Sequence, residues 1–245
     1  MPSWTERTEL ILGKDGLERL KKSSVLIVGL GGVGGIAAEM ICRAGVGEIT
    51  LIDRDTVSNS NINRQIIALQ STLGKNKSEV LAQRLQDINP EVDLHVITDW
   101  LDENNMLQVL SERKFDYVVD AIDTLSPKVY LLKICVENGI KVVSSMGAGA
   151  KTDPTKVKID DISKTIYCPL AKAVRKRLQK MGIKEGIKAV YSTEEADQRS
   201  VIETDEKYKK STTGTISYMP NLFGLMLASV VVREIAAGEF SEKTN

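Results

Sequence analysis

The chain has 245 residues, 42% of them apolar and 27% charged. That is ordinary for a soluble globular protein, with room for one large α/β domain or two small ones. Lys plus Arg and Asp plus Glu number 33 each. This balance excludes a whole-molecule field toward nucleic acid or membrane, so any such attraction must come from a local patch.

Arg7 to Lys22 has helical spacing, with Leu10, Leu12, Leu17 and Leu20 apolar and breaks at Gly13 and Gly16. Val25 to Val28 is a continuous apolar run, the mark of a strand buried on both faces. The glycine turn "GLGGVGG" follows, then a helix from Val33 to Ala44 and a strand at "EITLID". This is a β-turn-α-β unit of roughly 30 residues. The alternation continues with a helix in "SEVLAQRLQDINP", a strand in "VDLHVITDW", a helix in "ENNMLQVLSE" and a central strand in "FDYVVDAID". Pro127 to Asn138 is a helix with Pro in its first turn, and "IKVVSSMG" is another strand. The pattern predicts a doubly wound, mostly parallel Rossmann-like sheet.

After Gly149 the texture changes. "KVKIDDI" predicts an added strand, and Pro169 to Lys188 a basic helix. Ser192 to Thr213 is polar and predicts a mobile loop. "GTISYMPNLFGLMLASVVVREIAAG" predicts a strand, a turn and a closing apolar helix. Residues 1–245 are read as a single domain. Its 1–150 part binds nucleotide, and its 151–245 part faces the substrate and supports a dimer.

Cys42, Cys135 and Cys168 are too few and too scattered for a disulfide framework, and no Cys-x-x-Cys pair offers a zinc site. The N-terminal stretch carries charges where a signal peptide needs an apolar core. Segments such as "GLMLASVVV" are too short to span a bilayer. The expectation is a cytoplasmic protein with no membrane partner.

Gly29, Gly31, Gly32 and Gly34 let backbone amides approach a phosphate at a helix N-terminus. Dehydrogenases, flavoproteins and ATP enzymes share that device, so the glycines alone leave NAD(P), FAD and ATP open. Asp53 ends the second strand, where a carboxylate bonds ribose hydroxyls in either case. "DRDTVSNSNINRQ" and "LGKNKSE" are more selective. A triphosphate carries more charge than a dinucleotide diphosphate, and its leaving group gains charge during acyl transfer. Arg64 and Lys77 meet that need, and Asn61 can orient a phosphoryl oxygen. Asp123, at the end of "YVVDAID", sits where a parallel strand delivers residues to a crevice, and it suits Mg²⁺ on phosphates.

Together "VGLGGVGG", "LIDRDTVSNSNINRQ", "LGKNK" and "DAID" resemble the ubiquitin-activating-enzyme-like adenylyltransferases over residues 5 to 150. The resemblance implies ATP-Mg²⁺ adenylation of a carboxylate, with Asp53, Asn61, Arg64, Lys77 and Asp123 binding or activating ATP. It also implies that Arg7 reaches the partner's site in a homodimer with composite active sites. The second half, with "GAGAKTDPTKVKIDDISKTIYCPLAKAVRKRL", "AVYSTE" and "GTISYMPNLFGLMLASVVVREI", is similar to the tRNA threonylcarbamoyladenosine dehydratase branch. Asp123 and Lys128 match that branch's "AID…K". The implied reaction adenylates the threonyl carboxylate of the modified adenosine in tRNA, and an internal nitrogen then closes a ring. The branch is also linked to a monovalent cation, for which the sequence assigns no ligand, and to a cysteine desulfurase in sulfur handling.

The alternative within the superfamily is adenylation of the C-terminal glycine of a ubiquitin-like sulfur carrier. The missing zinc cysteines and the lack of any cysteine after Cys168 argue against it. A third reading is a redox-inert NAD-binding or scaffold protein. Cys42 and Cys135 lie on apolar helix faces and read as core. Cys168 is the one cysteine placed for nucleophilic chemistry, but the branch typically has Asp there, and a ring closed from within needs no covalent carrier. Lys172, Arg175, Lys176, Arg177, Lys180, Lys184 and Lys188 stand against the single acid Glu185. They form a positive stripe suited to an RNA backbone, led by Lys172, Arg175 and Lys176. His95, the only histidine, reads as structural.

Overall fold

The structure is a computed structural model that describes residues 3–238 apart from 100, 103, 207 and 208. Every residue of Ser24–Val28 (β1) and Tyr117–Asp120 (β4) is buried, because helices cover both faces of the sheet they centre. Outward from β1 lie Glu48–Ile52 (β2) and Asp93–Ile97 (β3). Outward from β4 lie Val142–Ser145 (β5), Lys188–Ser192 (β7) and Val157–Asp161 (β6). The order is β3-β2-β1-β4-β5-β7-β6, parallel except for the antiparallel edge strand β6.

Side chains alternate across each strand, and the two resulting faces make two cores. Val25 and Ile27 of β1 face one core with Ala37 and Ile41 of Gly34–Arg43 (α2), Leu81 and Leu85 of Lys77–Ile88 (α3), and Phe223 and Leu227 of Tyr218–Ala237 (α7). Glu6–Lys21 (α1) lies against α7 on the same side. Leu26 and Val28 face the other core with Met106 of Met106–Glu112 (α4), Leu131 and Leu132 of Leu125–Glu137 (α5), and Val174 and Leu178 of Pro169–Lys180 (α6).

Five expectations are corrected. Gly13 breaks the α1 helical geometry at φ +73°, but Gly16 stays helical and is buried, where an added Cβ would stand 3.2 Å from Leu12 Cβ and 3.4 Å from the Ala236 carbonyl. Residues 192–213 are not one irregular loop. They include a 3-10 turn at Gln198–Ser200 and an antiparallel hairpin, Val201–Glu206 (β8) with Lys209–Thr213 (β9). Residues 214–217 form no strand; β9 ends before them. The basic helix stops at Lys180, where Gly182 takes φ +85° and a terminal turn closes on Leu178. Lys188 instead opens β7, a strand the sequence pattern did not reveal. The apolar C-terminal segment is also longer than "GLMLASVVV" suggested. α7 runs 20 residues and is long and apolar enough to cross a membrane by those measures, though over half of its most apolar window is buried within the fold.

A candidate active site where the strand order reverses

Strand order reverses between β1 and β4, the switch point at whose carboxyl ends doubly wound sheets form their ligand crevice. The glycine turn fills the gap after β1. Gly29 has φ +86°, and a side chain on it would meet the Ala121 carbonyl at 2.8 Å. A Cβ on Gly34 would stand 1.7 Å from the Gly29 carbonyl oxygen, so only glycine lets the chain fold back into α2. Gly32 is pressed by its neighbours, a Cβ there standing 3.0 Å from Pro220 Cβ and 3.2 Å from the Arg64 carbonyl, while a Cβ on Gly31 would meet Gln65 Nε2 only at an ordinary contact distance of 3.6 Å. No side chain caps the N-terminus of α2, and its first turn holds no acid. The helix therefore presents amides and partial positive charge to the crevice.

Asp53 follows β2 and binds two amides, Leu30 at 2.7 Å and Asp55 at 2.8 Å. Burial pushes its carboxyl above the usual range, against the pull of the Lys77 charge and these two bonds. Lys77 opens α3, which Asn76 caps. Its side chain is buried, and Nζ donates to Asp55 Oδ2 at 3.1 Å. Asn61 is buried and accepts Ser58 N–H at 3.0 Å, leaving its amide nitrogen as the end able to donate to a phosphoryl oxygen. Arg64 is half-buried. Its Nη1 rests on Ser60 O at 2.8 Å and Asn63 Oδ1 at 2.9 Å, while Asn221 of α7 donates to its carbonyl at 3.1 Å. Asp123 is exposed, three residues beyond β4. The structure thus carries Gly29, Gly31, Gly32, Asp53, Asn61, Arg64 and Asp123 on the segments that follow β1, β2 and β4, with Gly34 and Lys77 as the first residues of α2 and α3, a set whose chemistry suits a nucleotide polyphosphate.

A model of the ThiF family matches residues 6–244. The chain belongs to the ThiF family. It is 41% identical to the tRNA threonylcarbamoyladenosine dehydratase of Bacillus subtilis, over 94% of this chain and 93% of that one. It is 41% identical to the enzyme of the same name from Escherichia coli, over 78% and 75%. The fold matches crystal structures of the E. coli tRNA N6-threonylcarbamoyladenosine dehydratase. The AMP complex superposes with a TM-score of 0.86 at 36% identity, covering 95% of this chain and 93% of that one. The ATP complex superposes at 0.85 and 35% identity, covering 95% and 93%.

Other expected residues of this ThiF-family chain stand differently. Lys128, matched with Asp123 in the sequence, is fully buried and bonds Asp120 Oδ2 at 2.6 Å, Ser145 O at 3.0 Å and Ser144 Oγ at 3.2 Å. Ser144 Oγ also donates to Asp120 at 2.5 Å, and Asp120 takes the Ile122 amide at 3.1 Å. Sequence reasoning missed this cluster; its signal was a lysine among Val129, Leu131 and Leu132, eight residues after a strand-end Asp. Arg7 is exposed on the first turn of α1 and, among the described residues, makes no bond to the glycine loop, Arg64 or Lys77.

Cys168 is buried as the N-cap of α6, its Sγ accepting Ala171 N–H at 3.5 Å and Gly147 N–H at 3.4 Å. That is a packing and capping role, and the sulfur is not presented to solvent. Cys42 and Cys135 are core residues whose thiols burial pushes up to about 11 and about 12, respectively, which suppresses thiolate chemistry. On α6, Lys172, Lys176 and Lys180 are exposed at four-residue intervals and form one stripe. Arg175 departs from it: half-buried, it donates to Thr165 O at 2.8 Å and to the Thr165 hydroxyl. Arg177 donates to Ser126 Oγ at 2.8 Å, three residues past Asp123, and so ties the basic helix to the crevice. Lys188 pairs with Glu234. His95 lies on β3, with Nε2 3.0 Å from Arg113 Nη1.

Proposed function

We propose that the chain is an ATP-dependent tRNA threonylcarbamoyladenosine dehydratase. The observation that carries this reading is the pairing of an uncapped glycine loop with two cations, Arg64 and Lys77, on the segments that flank it. A dinucleotide needs little beyond the loop amides, whereas a departing diphosphate needs side-chain charge. ATP lies over Gly29–Gly34 with its ribose on Asp53, and Asn61, Arg64 and Lys77 hold the phosphates. Mg²⁺ would come bound to the phosphates of ATP. Asp123 would hold it, since one carboxylate completed by phosphate oxygens and water is the donor set that ion prefers.

The threonyl carboxylate oxygen attacks the α-phosphorus, and the bond to pyrophosphate breaks. A nitrogen of the same modified side chain then attacks the acyl carbon and loses its proton, and AMP departs with the carboxylate oxygen. One water is removed overall. The nucleophile is tethered to its target, so effective concentration replaces a covalent carrier; the capped, buried Cys168 suits that route. The tRNA backbone lies along Lys172 and Lys176, with Arg175 holding the turn beneath. A homodimer completes each site with the partner's Arg7. Free buried cysteines agree with a reducing cytoplasm.

The test is mass analysis of nucleosides from tRNA incubated with the protein, with and without ATP. The expected result is ATP-dependent loss of one water from threonylcarbamoyladenosine. Pyrophosphate exchange that needs a carrier protein and ignores tRNA would refute the reading.

A further inference from the structure

Tyr167, just before α6, takes the left-handed backbone conformation at φ +53°. Among the described residues only Ala150 does so without being glycine. Glycine adopts this conformation freely, whereas a side chain is crowded in it. The turn is anchored on both sides. Thr165 is buried, its amide and hydroxyl donating to Ile162 O at 3.2 and 2.8 Å, and Arg175 donates to its carbonyl at 2.8 Å. Cys168 is buried, its Sγ accepting the Gly147 and Ala171 amides. Between these anchors Ile166 and Tyr167 stand outward, 47% and 54% exposed. The Tyr167 hydroxyl has no hydrogen-bond partner among the described residues. Tyr167 precedes the N-cap, a position whose side chain often packs on the fourth residue of the helix. Here that residue is Lys172, an exposed cation, so no apolar staple accounts for the ring. Lys172, Lys176 and Lys180 run on from it, and no acid stands in the first turn of α6. A flat ring held in solvent at the head of a row of cations offers what an unpaired nucleobase and its flanking phosphates require.

We infer that Tyr167 is a stacking platform for an unpaired base of the tRNA. Its ring lies against the base, and Lys172 and Lys176 take the neighbouring phosphates. The left-handed turn presents the ring, a task glycine would not serve. Self-association through this face is disfavoured, since it would gather two rows of lysines at one interface. The inference rests on the tRNA reading above.

The test measures binding of tRNA carrying threonylcarbamoyladenosine to wild type, Tyr167→Phe, Tyr167→Gly and Tyr167→Trp across a range of salt concentrations. Thermal melting, sedimentation and ATP-Mg²⁺ calorimetry run beside it. Tyr167→Gly removes the ring and relieves the backbone. It should melt close to or above the wild-type temperature and bind ATP as wild type does. Its tRNA affinity should fall about 10-fold or more at every salt concentration, with an unchanged salt slope, because a stacked base neutralises no phosphate. Tyr167→Phe keeps the ring and should stay within about 3-fold of wild type. In Tyr167→Trp the indole emission should change on tRNA binding beyond any change in wild type. Wild-type tRNA affinity in Tyr167→Gly would overturn the inference, as would an equal loss in Tyr167→Phe or an indole that ignores tRNA. So would a Tyr167→Gly chain that melts well below wild type or changes oligomeric state, since the ring would then serve the fold or a second copy. Failure of the wild type itself to bind this tRNA would overturn the tRNA reading and this inference with it.

Discussion

Replacing Lys128 with Met tests whether the crevice stands on a buried ion pair. Lys128 and Asp120 are both wholly buried, and the ammonium makes three bonds that join β4, β5 and α5. Methionine fills much of the lysine's volume but leaves Asp120 with only Ser144 Oγ and the Ile122 amide. Breaking a buried pair on one side costs about 3–5 kcal/mol, because the remaining charge cannot reach water. For a domain of this size each kcal/mol lowers the melting temperature by about 2–4 °C, so a drop of about 6–20 °C is expected. Urea titration and thermal melting measure it. The double variant Asp120→Asn, Lys128→Met removes the stranded charge and should recover a large part of the loss. A Lys128→Met loss below about 1 kcal/mol, the range of an exposed pair, would refute the reasoning. So would a double variant no more stable than the single one.

Arg64→Ala and Lys77→Ala should each lose most tRNA turnover with the fold retained, read by nucleoside mass analysis beside circular dichroism; full turnover in both would contradict the phosphate role. Gly34→Ala forces its Cβ off the Gly29 carbonyl, and a loop shift near 1 Å should cost turnover about 100-fold, as initial rates will show. Burial raises the Asp53 carboxyl, so below 3.8 it is protonated in both folded and unfolded chains, and as pH rises through its folded value the ionised form costs stability. Asp53→Asn should therefore gain stability relative to wild type as pH climbs through that window, in parallel urea titrations, while binding ATP more weakly. Neutralising Lys172, Lys176 and Lys180 to Gln should weaken tRNA binding and flatten its salt dependence by roughly one unit of slope for each phosphate no longer neutralised; an unchanged slope would mark the stripe as merely solvated.

The first half of the chain was legible because its signals are local. Val25 to Val28 reads as a buried strand without knowledge of its neighbours, and the spacing of Gly29 to Gly34 encodes a turn that only glycine can make. The misses are non-local. β7 follows a basic stretch broken by Gly182 and Gly186, and its place between β5 and β6 comes from pairing that no local pattern announces. The basic run continues past Lys180 in composition, but Gly182 ends the helix and sends Lys188 into the sheet. Arg175 counts as one more cation in the sequence, yet the structure turns it inward to Thr165. The Asp120–Lys128 pair was hidden because a charged residue inside an apolar helix face gives no sign of its partner.

The resting contacts of the two cations bear on how the site works. Lys77 is buried but neutralised by Asp55, whose own side chain is 60% exposed. Arg64 leans on a carbonyl and an amide oxygen of its own loop. Neither is held by a buried carboxylate, so a phosphate can replace Ser60, Asn63 or Asp55 without leaving a desolvated charge behind. Asp120 and Lys128 are the reverse case, a pair sealed from solvent whose separation is expensive. The fold therefore seals its costly ion pair beneath the strand ends and leaves the partners of Arg64 and Lys77 exchangeable, Asp55 being largely exposed. On the proposed reading, a polyphosphate over the glycine loop would meet positive charge that is placed but weakly committed, the arrangement that favours charge building on a departing diphosphate over charge already present at rest.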